Sequence, residues 1–345
     1  MSSVKCLILP NFELQCGVTL AQAKLVYQTY GELNADRSNV ILYPTSYGAQ
    51  HTDIDWLIRP DGILDPTKWF IIIPNMFGNG LSTSPSNHPA DGFADRGFWF
   101  THVDNVRAQA QLLTQIFGID RLAMVYGWSM GAQQAYHWGV IFPVGGASKH
   151  EIRVERIVAL CGTARTTDHN RIFLESLRSA LTADRTWTGQ GFDGIPEQGF
   201  RTFARIYASW AASQAFYREK LYLQLGYESL DDYLWRGWEM GYRKRDPQNL
   251  VAMLDTWLCC DISDNPTYSG DFDRALASIR ANTLVMPSQT DLYFTPEDCA
   301  AEASKIPNAR YLPIPSIWGH RAGNPYQNPE DAAFIRTAVK ELLNG

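Results

Sequence analysis

The sequence predicts an α/β protein: a mostly parallel central sheet with helices on both faces and a helical cap insertion. Three observations predict it. Short apolar, β-rich runs alternate with segments of helical periodicity, the pattern of units that build a parallel sheet. The later runs are almost continuously apolar, as strands covered on both faces are. One long stretch, from about Arg165 to Ser278, drops the alternation and reads as successive helices. These place a core domain at 1–164 and 279–345 and a helical cap, or lid, at 165–278.

The β-rich runs are Lys24–Tyr30, Asn39–Tyr43, Trp69–Pro74, Leu122–Tyr126, Arg156–Leu160, Thr283–Met286 and Arg310–Ile314. Apolar residues recur at helical spacing over Val103–Phe117, and Gly131–Phe142, Asp298–Ser304 and Asp331–Leu343 complete the helices of the core. Thr295-Pro-Glu-Asp298 reads as a helix start with Thr295 as N-cap. In the cap, Arg171–Ala183, Phe200–Ser209, Ser213–Leu225, Ser229–Met240 and Pro247–Leu258 read as helices. Trp187, Trp210, Trp235, Trp238 and Trp257 fall in the cap, where they fill its core or roof a pocket.

With 345 residues, 45% of them hydrophobic and 19% charged, the chain can bury a large core. A net charge of −6 argues against nucleic acid or an anionic membrane as partner. No window approaches the roughly 18 uninterrupted apolar residues of a spanning helix. The opening stretch from Met1 to Pro10 lacks the apolar core and cleavage site of a signal peptide. The six cysteines are scattered without a C-x-x-C pair, which suggests reduced thiols in a cytoplasmic protein and no zinc site.

The stretch carrying the chemistry is Leu122-Ala-Met-Val-Tyr-Gly127-Trp128-Ser129-Met130-Gly131. An apolar strand ends in a G-x-S-x-G pentapeptide and a helical pattern comes after it. Strand, sharp turn and helix are the context that makes this motif a nucleophile elbow. The serine is forced onto a strained turn, and the flanking glycines allow strand end and helix start to approach without Cβ clashes. Ser129 is therefore the expected nucleophile.

A serine hydroxyl needs a base to take its proton. On this architecture the acid and then the histidine come after the serine in chain order. Thr283-Leu-Val-Met-Pro-Ser-Gln-Thr-Asp291 places a carboxylate after a late strand, so Asp291 is expected as the acid, ahead of Asp298. His320 is the sole histidine after His169 and sits in a loop before the last helix, which marks it as the base. Among the others, His137 reads as packing, and His51 lies near enough to the oxyanion loop to touch substrate. An acyl-transfer intermediate needs two backbone donors for its oxyanion. Met130, at the helix N-terminus, supplies one. The loop Leu42-Tyr-Pro-Thr45-Ser46-Tyr47-Gly48 supplies the other, with Thr45 first and Ser46 second in order of preference.

The chain resembles the homoserine O-acetyltransferase family of α/β-hydrolase-fold proteins. The resemblance runs through Val26-Tyr-Gln-Thr-Tyr-Gly-Glu-Leu-Asn, Pro74-Asn-Met-Phe-Gly-Asn-Gly-Leu-Ser-Thr-Ser-Pro-Ser-Asn87, Asp104-Asn-Val-Arg-Ala-Gln-Ala-Gln-Leu-Leu, Ser129-Met-Gly and Asp246-Pro-Gln-Asn-Leu-Val-Ala-Met-Leu-Asp-Thr-Trp. It implies the same three residues, Ser129, Asp291 and His320. The departures point to the family's esterase-like branch. Trp128 precedes the serine where the transferases have glycine. Arg321 comes after the histidine where they carry an aspartate for homoserine's ammonium, with which an arginine cannot pair. The loop Pro-Thr-Ser-Tyr-Gly replaces their His-Ala-Leu-Thr-Gly.

The expected function is a serine hydrolase cleaving a small carboxylic ester, an acetyl ester among the candidates, through an acyl-enzyme. No cofactor and no metal are implied. Trp128, Ser46, Tyr47 and Arg321 are the candidate substrate contacts. The alternative is an acyl-CoA-dependent O-acyltransferase using the same triad, with Arg243, Lys244, Arg245 and Arg321 available for an acidic acceptor. A binding protein on a degenerate scaffold is disfavoured by a complete triad in the right order, and a carboxylate nucleophile is excluded by Ser129. A small-molecule ester is the expected partner, and a homodimer is left open.

Overall fold

A computed structural model describes residues 4–88, 100–142 and 152–345; the first three residues of the Met1–Pro10 stretch lie outside them. The strands are β1 (Lys5–Glu13), β2 (Thr19–Tyr30), β3 (Val40–Leu42), β4 (Phe70–Pro74), β5 (Arg121–Leu122), β6 (Met124–Trp128), β7 (Arg153–Val154), β8 (Arg156–Leu160), β9 (Asn282–Met286) and β10 (Ala309–Tyr311). Eight form one sheet in the order β1-β2-β4-β3-β6-β8-β9-β10, and β5 and β7 pair separately. From β4 through β10 every pairing in that sheet is parallel, and β1 and β2 join antiparallel.

The core strands bury both faces. Along β3, Ile41 packs into one hydrophobic cluster with Ile71, Met124 and Val158, while Val40 and Leu42 pack into a second with Ile72, Val125 and Ile157. The period of two sends alternate residues to opposite faces. Helices α1 (His51–Ile54), α2 (His102–Leu112) and α3 (Met130–Ile141) lie within the first half of the chain. Between β8 and β9 the described structure is helical: α4 (Asp168–Thr182), α5 (Glu197–Ala211), α6 (Gln214–Arg218), α7 (Leu230–Asp232), α8 (Met240–Tyr242), α9 (Pro247–Leu258) and α10 (Phe272–Ser278). Helices α11 (Pro296–Ala303) and α12 (Pro329–Asn344) complete the chain.

Register decides where the loops of the site begin. Leu42 pairs with Val125, Trp128 with Leu160 and Leu160 with Met286. The carboxyl ends of β3, β6, β8 and β9 therefore lie along one edge, where open α/β sheets place their ligands. The loops beginning at Tyr43, Ser129, Cys161 and Pro287 all start there.

Several expected elements differ in detail. The run Leu122–Tyr126 is divided at Ala123 between two sheets. The segment Ser213–Leu225 breaks at Lys220, which takes a left-handed φ of 51°. Ser229–Met240 contains a π-helical turn over Tyr233–Glu239.

Candidate active site

The site begins with backbone geometry. Ser129 lies between β6 and α3 with φ 59° and ψ −127°, a conformation an L-residue holds only under constraint. Its N–H donates to the Leu160 carbonyl at 2.9 Å, which ties the turn to the neighbouring strand. The small residues around it are steric requirements. A Cβ on Gly127 would stand 2.1 Å from the Gly131 carbonyl oxygen, and one on Gly131 would stand 2.8 Å from that of Pro44. Gly162, in the loop after β8, is equally constrained: its Cβ would meet the Ser129 carbonyl oxygen at 2.8 Å.

His320 lies in a single 3₁₀ turn, Gly319–Gly323, entered through Gly319 at φ 64°. The Gly319 N–H donates to Thr290 Oγ1 at 3.0 Å, joining this turn to the loop that carries Asp291. His320 Nδ1 lies 2.8 Å from Asp291 Oδ2. An ionised carboxylate only accepts, so Nδ1 carries a proton, and in the neutral imidazole the lone pair is then on Nε2. The other carboxylate oxygen, Oδ1, accepts from the Tyr293 N–H at 3.2 Å and the Phe294 N–H at 3.1 Å. Asp298 is occupied elsewhere. It sits in the first turn of α11, where its N–H donates to Thr295 Oγ1 at 3.2 Å and its carboxylate accepts that hydroxyl's proton at 2.8 Å.

Aromatic rings hold the imidazole. Trp128 stacks on it with centroids 5.1 Å apart and planes at 28°, and the Trp128 indole N–H donates to the His320 carbonyl at 3.3 Å. Tyr293 packs against the same ring at 4.4 Å and Phe294 at 5.6 Å. Trp128 thus braces His320 from the residue next to Ser129. The close fit extends to Gly323, where a Cβ would lie 2.5 Å from the Trp128 ring and 2.7 Å from Cys161 Sγ.

The expected oxyanion donor, the Thr45 amide, is already hydrogen-bonded within the sheet. The Thr45 N–H donates to the Pro74 carbonyl at 3.3 Å, and Thr45 Oγ1 accepts from the Met76 N–H at 2.9 Å. Parallel pairing with β4 continues past the last residue of β3, so this amide is already committed. Among the hydrogen bonds of the described residues, the next amide, that of Ser46, has no partner. The Ser46 hydroxyl donates to the Trp128 carbonyl and accepts from the Gly131 N–H at 3.4 Å, which locks its loop onto the elbow. As the first residue of α3, Met130 has an N–H with no intrahelical acceptor.

Beside the elbow a cavity of about 340 Å³ is bounded by Tyr47 and Ala49 from the loop after β3, by Trp128, and by Trp238 and Tyr242 from the segment between α7 and α9. Tyr47 also stacks on Tyr207 of α5 at 5.9 Å, and its hydroxyl donates to the Leu250 carbonyl at 3.1 Å. His51 does not line this cavity. It is buried against Asn75, whose side-chain oxygen accepts its backbone N–H at 3.0 Å. His137 is buried packing, with Nδ1 on the Gln133 carbonyl at 2.8 Å.

Residues 60–317 match the α/β hydrolase fold family, three quarters of the chain. The chain belongs to the α/β hydrolase fold family. Within it, the chain is 36% identical to an ethyl acetate hydrolase of Pseudomonas veronii over 311 residues, 89% of this chain and 86% of that one. It superposes on the crystal structure of an acetylester hydrolase from Corynebacterium glutamicum with a TM-score of 0.92, at 34% identity, covering 99% of this chain and 96% of the other. It is also 26% identical to a homoserine O-acetyltransferase of Chlorobium chlorochromatii, over 90% of this chain and 88% of that one. The chain is an enzyme of this fold, of its esterase and hydrolase kind, with transferases as more distant relatives.

Three of the four basic residues that could serve a transferase's acceptor, Arg243, Arg245 and Arg321, have partners within the chain. Arg321 does not line the cavity; its guanidinium donates to the Tyr233 hydroxyl at 3.2 Å among the aromatics before α8. Arg243 pairs with Glu197 and, at 3.7 Å, with the buried Glu239, and Arg245 pairs with Asp53. Arg243 and Arg245 are thus each neutralised by a carboxylate, Arg245 at the edge of the cavity, and Lys244 makes no ion pair among the described residues. Cys161 Sγ, an Asp291 oxygen and a His320 ring nitrogen lie within 4.8 Å of one another, a set of metal-ligating atoms whose proximity the sequence does not reveal. Burial holds the Cys161 thiol well above its ordinary pKa, so it stays protonated. Asp291 and His320 already satisfy each other. Among the described residues, no helix is long and apolar enough to cross a membrane.

Proposed function

We propose that the enzyme hydrolyses small carboxylic esters, acetyl esters in particular, with Ser129 as nucleophile, His320 as base and Asp291 as its orienting acid. The observation that carries this reading is the 2.8 Å contact between His320 Nδ1 and Asp291 Oδ2, which supports Nε2 as the proton acceptor. As Ser129 Oγ attacks the ester carbonyl, Nε2 takes its proton, and Asp291 stabilises the imidazolium. The amides of Met130 and Ser46 receive the oxyanion. The imidazolium then protonates the departing alkoxide, leaving an acyl-enzyme. Water, deprotonated by His320, attacks that ester, and the carboxylic acid is released. The activities by which the relatives are named support the acetyl group as acyl portion and water as final acceptor.

The test pairs a fluorophosphonate probe with an ester panel. Mass spectrometry should find the probe on Ser129, and ethyl acetate should be hydrolysed with release of acetate. Label elsewhere with activity retained would displace Ser129. Acetylhomoserine forming faster than acetate, from acetyl-CoA and homoserine, would replace hydrolysis by acyl transfer.

A further inference from the structure

On the wall of the cavity beside the elbow, one half-buried amide is engaged by the fold through its oxygen alone. Asn324, four residues after His320, lines its wall. The Trp56 indole N–H donates to Asn324 Oδ1 at 2.8 Å. An indole nitrogen is a donor only, so the carboxamide oxygen must face Trp56 and the orientation of the amide is fixed. Its NH₂ group is then turned away from Trp56, and among the described residues it has no acceptor. Of the other polar groups around the cavity, the Trp238 indole N–H also lacks an acceptor among the described residues, but its nitrogen is buried. The Tyr47 hydroxyl donates to the Leu250 carbonyl, and Asp53 and Arg245 pair with each other at the rim. What remains is a largely apolar space walled by Ala49, Ile54, Trp128 and Trp238, with the Asn324 NH₂ as a donor of fixed orientation.

We propose that this cavity receives the alcohol portion of the ester, and that the Asn324 NH₂ donates to an oxygen in that portion, so that alkoxyalkyl and similar oxygen-bearing alcohols are selected over plain alkyl chains. The inference rests on the acetyl ester reading of the site. An acetyl group ends in one methyl, far smaller than about 340 Å³, so the larger space belongs to the other side of the ester. Its walls come from the residue before Ser129, the loop after Ser46, and the turn that carries His320. A substrate whose carbonyl lies over Ser129 is therefore beside its entrance. Ionic alcohols are disfavoured because Asp53 and Arg245 neutralise each other.

The experiment compares 2-methoxyethyl acetate with n-butyl acetate, which differ by an ether oxygen in place of a methylene. The wild-type enzyme should prefer the ether in kcat/KM by about three- to tenfold, the range of one neutral hydrogen bond. Asn324→Asp keeps an acceptor for Trp56 but has no NH₂, and Asn324→Leu keeps neither. Both should erase the ether preference, read within each variant as the ratio of the two kcat/KM values. A purely structural role through Trp56 would spare the aspartate variant and would not separate two substrates of equal size. Gly241 supplies the steric arm: it lies on the rim, and no atom lies within 4 Å of where its Cβ would stand. Gly241→Leu should depress n-butyl acetate relative to ethyl acetate and leave ethyl butyrate unaffected. An unchanged ether preference in both Asn324 variants overturns the proposed donor. Loss of ethyl butyrate instead of n-butyl acetate overturns the assignment to the alcohol. A wild-type enzyme that hydrolyses none of these esters removes the parent reading, and the cavity assignment with it.

Discussion

At position 129 a serine holds φ 59° and ψ −127°, a conformation that costs of order 1–3 kcal/mol. That cost is tolerable because Leu160, Gly162 and Gly131 surround the turn on three sides. Ser129→Ala removes the hydroxyl and leaves the turn, so turnover should fall by several orders of magnitude with thermal stability nearly unchanged. Esterase activity near wild type in a pure sample of that variant would refute the nucleophile. Asp291→Asn should cost about 10³- to 10⁴-fold in kcat, because an amide cannot hold the same imidazole tautomer. Asp298→Asn should cost little, since Asp298 serves only the first turn of α11. The two variants in one hydrolysis assay decide between the carboxylates. The Asp291–His320 contact was legible because the order of these residues in the chain and their loop positions are properties of sequence. The free amide of the loop after β3 was not: whether it belongs to Thr45 or Ser46 depends on how far parallel pairing runs past β3. The role of Arg321 was hidden for a similar reason, since the Tyr233 hydroxyl it binds lies 88 residues away in the chain.

At the scale of elements, the elbow and the loop after β8 carry the consequences. Gly127→Ala would drive a methyl to 2.1 Å from the Gly131 carbonyl, so β6 or α3 must shift. We expect a loss of stability above about 3 kcal/mol and no measurable esterase activity, seen in denaturant unfolding and a rate assay. Glu302 of α11 is buried and accepts the Ala164 N–H at 2.7 Å, which anchors the loop after Gly162. Burial raises its carboxyl from 4.5 to about 8. The native state therefore keeps a proton that the unfolded chain releases. Its contribution is fully present below about pH 4.5 and is lost as pH rises through about 8. In urea titrations across that window, the wild type should lose stability relative to Glu302→Gln, whose neutral amide still accepts from Ala164. Parallel slopes for the two proteins would show that Glu302 does not titrate there. Sequence periodicity read α9 and β8 with their boundaries intact, because each is continuous and apolar. It missed β1, where Pro10 and Asn11, at φ 48°, interrupt the alternation and pairing with β2 supplies the strand instead. It merged α6 with the turn after it because the reversal at Lys220 leaves no mark on hydrophobic spacing.

Across the whole molecule, the helical segment between β8 and β9 is joined to the sheet by aromatic rings, with few ion pairs. Tyr207 of α5 is central. It stacks on Tyr47 at 5.9 Å, meets Tyr293 edge-on at 6.3 Å, and lies against Trp238 at 5.7 Å and Tyr242 at 5.4 Å. Tyr47 belongs to the loop after β3 and Tyr293 to the loop of Asp291, so one side chain links the helices to both loops that frame the site. The abundance of aromatics in this segment was visible in the sequence, but which of them meet across the seam depends on tertiary packing. Tyr207→Ala should cost about 3–5 kcal/mol, the range for deleting a large buried ring. Because the lost contacts include Tyr47 and Tyr293, the same variant should also lose kcat/KM at temperatures where it remains folded. Tyr207→Phe keeps the rings and should stay within about 1.5 kcal/mol of wild type. Calorimetry with an ethyl acetate assay measures both effects. A fall in melting temperature without a change in kcat/KM would mean that the rings hold the helices in place while the site's loops are set by the sheet alone. Loss of both together is expected, because Tyr293 packs on Tyr207 with one part of its ring environment and on His320 with another.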